Sequence, residues 1–554
     1  MEQVRLFIAI ALSFLVFFLW TIFVEPPAPP VTPESPETKE STETVQPAGI
    51  PESTALPAPE PETGSTDPSD PVSAARSART IRVSTPLYSV EISEKGAVFQ
   101  SFVLKNYREN IAADSPLKQL IPAELSGGSI RTVFTGGGLS ELKDAVFTAD
   151  TASDTVDIYD RKTEILFSWQ SPDNIVFEKK FSFSSASYLI GLESRIINRS
   201  AAPVQGSLAV TLANSVPEES QYAFEGPSAL IDNSLEQIKI KNIEDQNTYS
   251  GTMKWIAIES RYFLSGIIPR ENIPARMLLT QTKDNMLENS YIVPEKSIAP
   301  NTQQIYGFDL FFGPKNLKLL KSFENGLDRV VNFGFFDLLA KPCLWMMNQI
   351  HDFIPNYGVA IIILTIMIKI ALWPLGNKSY KSMNEMKRIQ PLMAEIREKY
   401  KNDKRKMNEE LMNLYKIYKV NPMGGCLPML LQIPVFFALY RMLYEAIELR
   451  HAPFFGWIND LSAPDRLFEF GFSIPFMEPP YGIPVLTIIM GATMLLQQKM
   501  SPPPGDPGQA KMMMFMPVIF TVIFINFSSG LVLYWLINNI LSIAQQYYVL
   551  KKNA

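Results

Sequence analysis

Tyr357-Gly-Val-Ala-Ile-Ile-Ile-Leu-Thr-Ile-Met-Ile-Lys-Ile-Ala-Leu-Trp-Pro-Leu375 is an apolar run of the length that crosses a bilayer, and it carries one charge, Lys369. A charged amine at the centre of a membrane helix costs about 2.5–3.5 kcal/mol on insertion scales. A chain accepts that cost when the charge meets water or an anionic partner inside the protein. At a rise of ~1.5 Å per residue, Lys369 lies about 18 Å from Tyr357, past the middle of a ~30 Å hydrocarbon core. Snorkelling toward the nearer surface is one resolution; a polar cavity within the protein is the other, and the favoured one.

Outward from this run the chain divides by composition. The formal net charge of −6 over 554 residues says little, because the charges are segregated. Residues 6–24 carry no charge, follow Arg5 and end without a small-x-small cleavage site. They read as a signal anchor, domain 1–24, with its N-terminus in the cytoplasm. Residues 25–78 are dominated by Pro, Glu, Ser and Thr, a composition that cannot bury enough surface to order itself, so a tether is expected.

Residues 79–331 carry short alternating stretches, among them 81–92, 97–104, 176–183, 188–196 and 206–212, separated by Gly, Asn, Asp and Ser. They predict an all-β sandwich outside the cytoplasm. Its acids Glu218, Glu219 and Glu225 form no constellation and read as solvated surface. Residues 332–355 mix Phe, Leu, Trp and Met with Asp337, Lys341 and His351. They predict an amphipathic helix lying in the membrane interface, the alternative being a helix that closes off the β domain.

Residues 356–550 hold five candidate spans, at 357–375, 427–449, 483–498, 512–527 and 531–549. With the anchor they make an α-helical polytopic membrane protein of six spans. The loop 376–425 is strongly basic and includes Lys404, Arg405 and Lys406, which assigns it to the cytoplasm. Alternation then puts the tail 551–554, with Lys551 and Lys552, on the same side. Both termini are thus expected to be cytoplasmic. Apolar residues recur at three- and four-residue steps twice within 378–420, predicting a helical hairpin about a turn at 401–404. Its basic excess suits anionic lipid or ribosomal RNA.

Polar residues recur inside the spans. Gln432 lies in one; Asn538, Ser542, Gln545 and Gln546 share one face of the last; Thr365 stands a turn before Lys369. Singly, each reads as hydrogen-bond glue between helices. Together with an unpaired lysine they read as the wall of a wet cavity. Cys343 and Cys426 flank the Lys369 run and are expected to face opposite compartments, unbonded. Neither the cysteines nor His351 and His451 have metal-ligand spacing, and no metal or cofactor is expected.

Asn421-Pro-Met-Gly-Gly-Cys-Leu-Pro428, Gln432-Ile-Pro-Val-Phe436, Phe515-Met-Pro-Val-Ile-Phe520 and Ser529-Gly-Leu-Val-Leu-Tyr-Trp535 resemble the signature of YidC-type membrane protein insertases, in the Gram-negative form with a large periplasmic domain. The resemblance implies a five-helix insertase core in the bacterial inner membrane, a periplasmic β-supersandwich, and no catalytic residues. It implies a hydrophilic groove whose single positive charge corresponds to Lys369, where most relatives carry arginine. Thr365 and Trp535 match positions that touch the passing substrate; Gln432, Asn538, Ser542 and Gln545 complete the expected groove. The implied partners are nascent membrane proteins, lipid, the ribosome and signal-recognition targeting factors, and the Sec translocon with its SecDF accessory; DNA is not among them. Lys404, Arg405, Lys406, Lys551 and Lys552 are the expected ribosome contacts.

No GxxxxGK[ST] motif is present, so insertion is expected to run on hydrophobic transfer. Two other classes stay open. A transporter or channel shares an intramembrane charge, although duplicated halves are not visible in the sequence. A membrane-anchored glycan enzyme acting through the β domain needs paired carboxylates in a pocket there.

Overall fold

Residues 81–92 build a hairpin and not the single stretch that their composition suggests. Thr80–Ser84 and Tyr88–Ser93 pair antiparallel around Thr85-Pro86-Leu87, where the Thr85 hydroxyl accepts the amides of Leu87 and Tyr88 at 3.2 and 3.0 Å. Proline fixes φ in the turn and supplies no ladder donor. This is a computed structural model; it describes residues 77–552 except 113, 124, 126, 137–138, 161, 218–222, 283, 421–426 and 502–506. The expected anchor, nearly all of the tether, Glu218, Glu219, Cys426 and the motif at 421–426 lie outside the described residues.

The β domain consists of a five-stranded sheet and a fourteen-stranded sheet. Alternation sets the register: Leu189–Asn198 buries every second residue and pairs antiparallel with Thr302–Pro314 on one side and Ile175–Phe183 on the other. The two sheets are joined by aromatic rings. Phe99 and Phe102 of the smaller sheet meet Phe312 of the larger at 5.7 and 4.8 Å, and Phe99 meets Phe181 at 5.2 Å. One charge is enclosed between them. Lys179 is fully buried, and its Nζ donates to the carbonyls of Gly96, Ala97 and Ile130 at 2.9, 3.1 and 3.3 Å.

Nine helices follow among the described residues: α1 (Leu317–Lys321), α2 (Asp337–Phe353), α3 (Tyr357–Ala371), α4 (Trp373–Lys399), α5 (Lys404–Ile417), α6 (Leu427–Glu445), α7 (Val485–Met500), α8 (Pro507–Phe524) and α9 (Ser529–Lys552). The run 357–375 is not one straight helix. It breaks at Leu372, and α3 and α4 meet at a 65° bend. Pro374 explains the break, since it lacks an amide and its ring clashes with the carbonyl four residues back. The hairpin therefore begins at Trp373, earlier than expected, and the helix expected over 427–449 ends at Glu445. Among the described residues no single helix is long and apolar enough to cross a membrane; α3 and α4 qualify only as a bent pair.

Helix α2 packs on α3 and α6. It buries Ala340, Leu344 and Met347 and leaves Leu338, Trp345 and Phe353 exposed. The hairpin α4–α5 packs Ile389 and Met393 against Leu411 and Leu414, while Lys404, Arg405 and Lys406 stay exposed. Asp403 caps α5 by accepting the amide of Lys406 at 3.0 Å. Met383 faces elsewhere, into the cavity described below.

The β domain is tied to the end of α6. Arg261 donates through Nε and Nη2 to the carbonyl of Tyr444 at 2.9 and 2.7 Å, a cation on the negative end of the helix dipole. Arg450 reaches back to the carbonyl of Glu109 at 3.0 Å, and Asn316 donates to Glu448 at 3.0 Å. Arg441 and Glu445 form an i, i+4 pair at 2.8 Å within α6.

Burial pushes the Lys179 amine down to about 7. The unfolded chain therefore holds more protons than the folded one between about pH 7 and the ordinary lysine range, and stability rises with pH across that window. In the detergent-solubilised protein, the urea midpoint of the β domain is expected to climb from pH 7 to pH 9. Lys179→Met should remove that climb, and a slope unchanged by the substitution would show that Lys179 is not its source.

Candidate functional site

Thr365 and Lys369 sit one turn apart on α3. Thr365 is buried and returns its hydroxyl to the Ile361 carbonyl at 2.6 Å. Lys369 points across to α9, where its Nζ donates to the Ser542 hydroxyl at 2.6 Å; Ser542 in turn donates to the Asn538 carbonyl at 2.7 Å. No salt bridge joins Lys369 to a carboxylate among the described residues. The amine is thus held by one neutral hydroxyl.

The bend after α3 supplies the next wall. It lays the first turns of α4 against α9, so that Gln545 donates to the Trp373 carbonyl and to Asn377 Oδ1, both at 3.0 Å. Glycine leaves room for this contact: a Cβ on Gly376 would lie 2.7 Å from the Gln545 amide nitrogen, so the amide would have to move. Asn539, one residue along α9, donates to Thr493 of α7 at 3.3 Å. Gln432 of α6 bonds to the buried Tyr534 hydroxyl.

These helices enclose a cavity of about 570 Å³. Lys369, Thr365, Gln432, Trp535, Asn538, Ser542 and Gln545 all line it. Sequence reading missed Ser379, Tyr380, Gln497 and Gln498, which line it as well. The first two fell at the start of the expected hairpin 378–420, whose residues carried no sign of facing a cavity; the helix there begins at Trp373. The glutamines stood at the end of an apolar run, and that position was their only signal. Lys404, Arg405, Lys406, Lys551 and Lys552 do not line the cavity; they are exposed on α5 and on the last turn of α9.

The cavity is graded along α9. Toward the C-terminal end lie Asn538, Ser542 and Gln545. Toward the N-terminal end Trp535 meets Phe436, Phe524 and Phe520 at ring distances of 4.8, 5.1 and 6.2 Å. The outer faces have the opposite polarity. Ile366, Met367 and Ile370 of α3, Ile488 and Leu496 of α7, and Phe515, Val518, Ile519 and Ile523 of α8 are exposed. Exposed apolar side chains outside, and a cluster of amides, hydroxyls and one amine inside beside apolar lining such as Ile368, Met494 and Met516, depart from the arrangement of a protein in water.

A second cavity, about 320 Å³, lies in the β domain and is lined by Glu109, Glu225 and Glu259 among others. Glu109 is paired with Lys118 at 2.8 Å and Glu259 with Lys315 at 3.0 Å. The histidines stand apart from both cavities: His351 stacks on Tyr357 at 3.8 Å, and His451 lies 4.0 Å from Asp460.

Residues 80–346 match the model of the YidC periplasmic domain, and residues 349–554 match that of the 60Kd inner membrane protein. A membrane protein insertase YidC of Syntrophus aciditrophicus is 42% identical over 518 residues, covering 92% of each chain. One from Pelobacter propionicus is 39% identical over 557 residues, covering 99% of each. Among solved structures, an active YidC insertase with its first transmembrane domain resolved is 20% identical, covers 86% of this chain and 93% of its own, and has a TM-score of 0.37. With both halves matched in order and relatives near 40% identity along the whole length, this chain belongs to the YidC family of inner membrane proteins.

Proposed function

We propose that the protein is a membrane protein insertase of the bacterial inner membrane, and that the Lys369 cavity is the groove that receives the polar part of a nascent chain. The observation that carries the second part is the amine of Lys369, set beside amides and hydroxyls with no carboxylate partner among the described residues, inside helices whose outer faces are apolar. In the proposed topology the bent pair α3–α4, then α6, α7, α8 and α9, form five spans beside the anchor at 6–24. The α4–α5 hairpin and Lys551 are cytoplasmic, and the β domain is periplasmic. The groove opens toward the cytoplasmic end of α9, and the Trp535 cluster closes its outer end.

The chemistry follows from polarity. A polar tail entering the groove exchanges bulk water for the amides of Gln432, Asn538 and Gln545 and crosses less hydrocarbon. Unit charges 4 Å apart attract by about 1 kcal/mol in bulk water and about 4 kcal/mol at an effective dielectric near 20, so an acidic tail gains most beside Lys369. The apolar segment behind it leaves along the exposed faces of α3 and α8, where its own burial in lipid drives insertion. Lysine offers charge without the planar fork of arginine, which suits a general electrostatic role. A glycan-enzyme role for the β domain gains nothing from its cavity, where Glu109 and Glu259 are already ion-paired.

The exposed basic residues of the hairpin, with Lys551 and Lys552, are proposed to dock ribosomes or targeting factors; collaboration with the Sec translocon and SecDF is the remaining partner reading. If attraction to RNA holds the ribosome, affinity should fall with added salt and fall further when Lys404, Arg405 and Lys406 are changed to Glu. Ribosome binding indifferent to both would leave the hairpin as a brace.

Lys369→Arg is expected to retain insertion of every substrate. Lys369→Ala should lose more as the translocated tail gains acidic residues, and Lys369→Glu should be worst, with at least a tenfold deficit on a two-acid tail, or about 1.4 kcal/mol. The measurement is protease accessibility of tails carrying zero, one or two acids, in cells with matched protein levels. A uniform loss, independent of tail charge, would reduce Lys369 to a structural residue.

A further inference from the structure

The segment between α6 and α7 is built onto helix ends by two adjacent charges. Asp465 is buried, and its carboxylate accepts the Trp457 indole N–H and the Leu486 amide in the first turn of α7. Arg466 donates to the Ile525 carbonyl just beyond α8 and to the Pro480 carbonyl, both at 2.8 Å. An anion at a helix start and a cation at a helix end each complement the local dipole. Between these ties the chain rises as a hairpin, Leu467–Phe470 paired with Tyr481–Ile483.

The tip of this hairpin is unlike a water-facing turn. Phe468, Phe472 and Phe476 are 69, 65 and 81% exposed. Phe468 and Phe476 also hold φ of +57° and +65°, a region that bulky side chains rarely enter and that persists only where the surroundings impose it. Within 467–483 the only charged residues are Glu469 and Glu478. Ile483 at the end of the hairpin and Ile488 and Ile489 on the first turns of α7 are exposed as well.

We propose that this aromatic hairpin is a lipid-binding element that seats its phenylalanines at the headgroup–acyl boundary of the outer leaflet, beside the closed end of the groove. The partner is fixed by position and chemistry together. The hairpin is tied to the ends of α7 and α8, so it stands at the depth where those helices leave the hydrocarbon. Phenylalanines on the apolar side of an interfacial element bury at that boundary while its charged residues stay with the headgroups, as the two carboxylates can here. Burial of the rings there offsets backbone strain that water would leave uncompensated. The inference rests on the reading that α7 and α8 span the bilayer.

Spin labels on the full chain in liposomes of phosphatidylethanolamine and phosphatidylglycerol test it, with Cys343 and Cys426 replaced by Ser. Gly471→Cys carries the label at the tip, where a Cβ meets nothing within 4 Å. Tyr159→Cys, on an exposed residue of the β domain, is the water reference, and Ile519→Cys, on the exposed face of α8, is the lipid reference. Power saturation should show the 471 label more accessible to dioxygen than to a nickel chelate, as at 519 and opposite to 159. Changing Phe468, Phe472 and Phe476 together to Ser should return it to the value at 159. A 471 label that behaves like 159 in the unaltered hairpin overturns the proposal, as does dipolar broadening that reveals a second copy on this surface. A label at 519 that reads as water would overturn the spanning reading itself, and this result is distinct from failure of the hairpin alone.

Discussion

The hydrogen bond from Lys369 to Ser542 is the constraint on which the helical half of the molecule depends. A hydrogen bond to a charged group contributes about 1.5–3 kcal/mol, comparable to the insertion cost of a central lysine at about 2.5–3.5 kcal/mol. One hydroxyl therefore nearly balances the charge and leaves its remaining donors free for water or substrate. To make that bond α3 must lie against α9, and α4 must turn away after Leu372 so that a cavity stays open between them. Gly376, Trp373 and Asn377 serve that geometry by admitting and holding Gln545.

The β domain answers to a different constraint. Its two sheets meet through phenylalanines of both, Phe99 and Phe102 against Phe312 and Phe181. Yet Arg261, Asn316 and the returning Arg450 fix it to the end of α6 and the turn beyond. A domain secured through helix-end carbonyls and buried carboxylates holds its orientation firmly. Domain motion would have to break several charge-assisted bonds together.

Most of this was legible in the sequence where a period or a charge made it so. Lys369 stood out because hydrocarbon penalises a lone amine, and the i, i+4, i+7 spacing of Asn538, Ser542 and Gln545 survives directly as one wall of the cavity. The helical hairpin was readable from Met386 to Leu414 for the same reason. What was not legible depends on proline and on tertiary contact. Pro374 ends α3 early and brings Ser379 and Tyr380, at the start of the expected hairpin, to the cavity. Thr85-Pro86 splits a strand-like stretch into a hairpin. Lys179 drew no reading of its own in the sequence; it shares the inward face of its strand with Phe177 and Phe181, and only the carbonyls that meet it across the two sheets explain a lysine there.

In the proposed groove, the amine, amides and hydroxyls around Lys369 hold water within the membrane. Cysteine reactivity measures it directly, because thiols react as thiolates, which require water. With Cys343 and Cys426 replaced by Ser, Asn538→Cys in the cavity should react readily with a membrane-impermeant maleimide added from the cytoplasmic side of inverted vesicles. Ile540→Cys, geometrically more open at 45% exposure but facing lipid, should stay unreacted. A reactive residue 540 and an inert residue 538 would contradict the account.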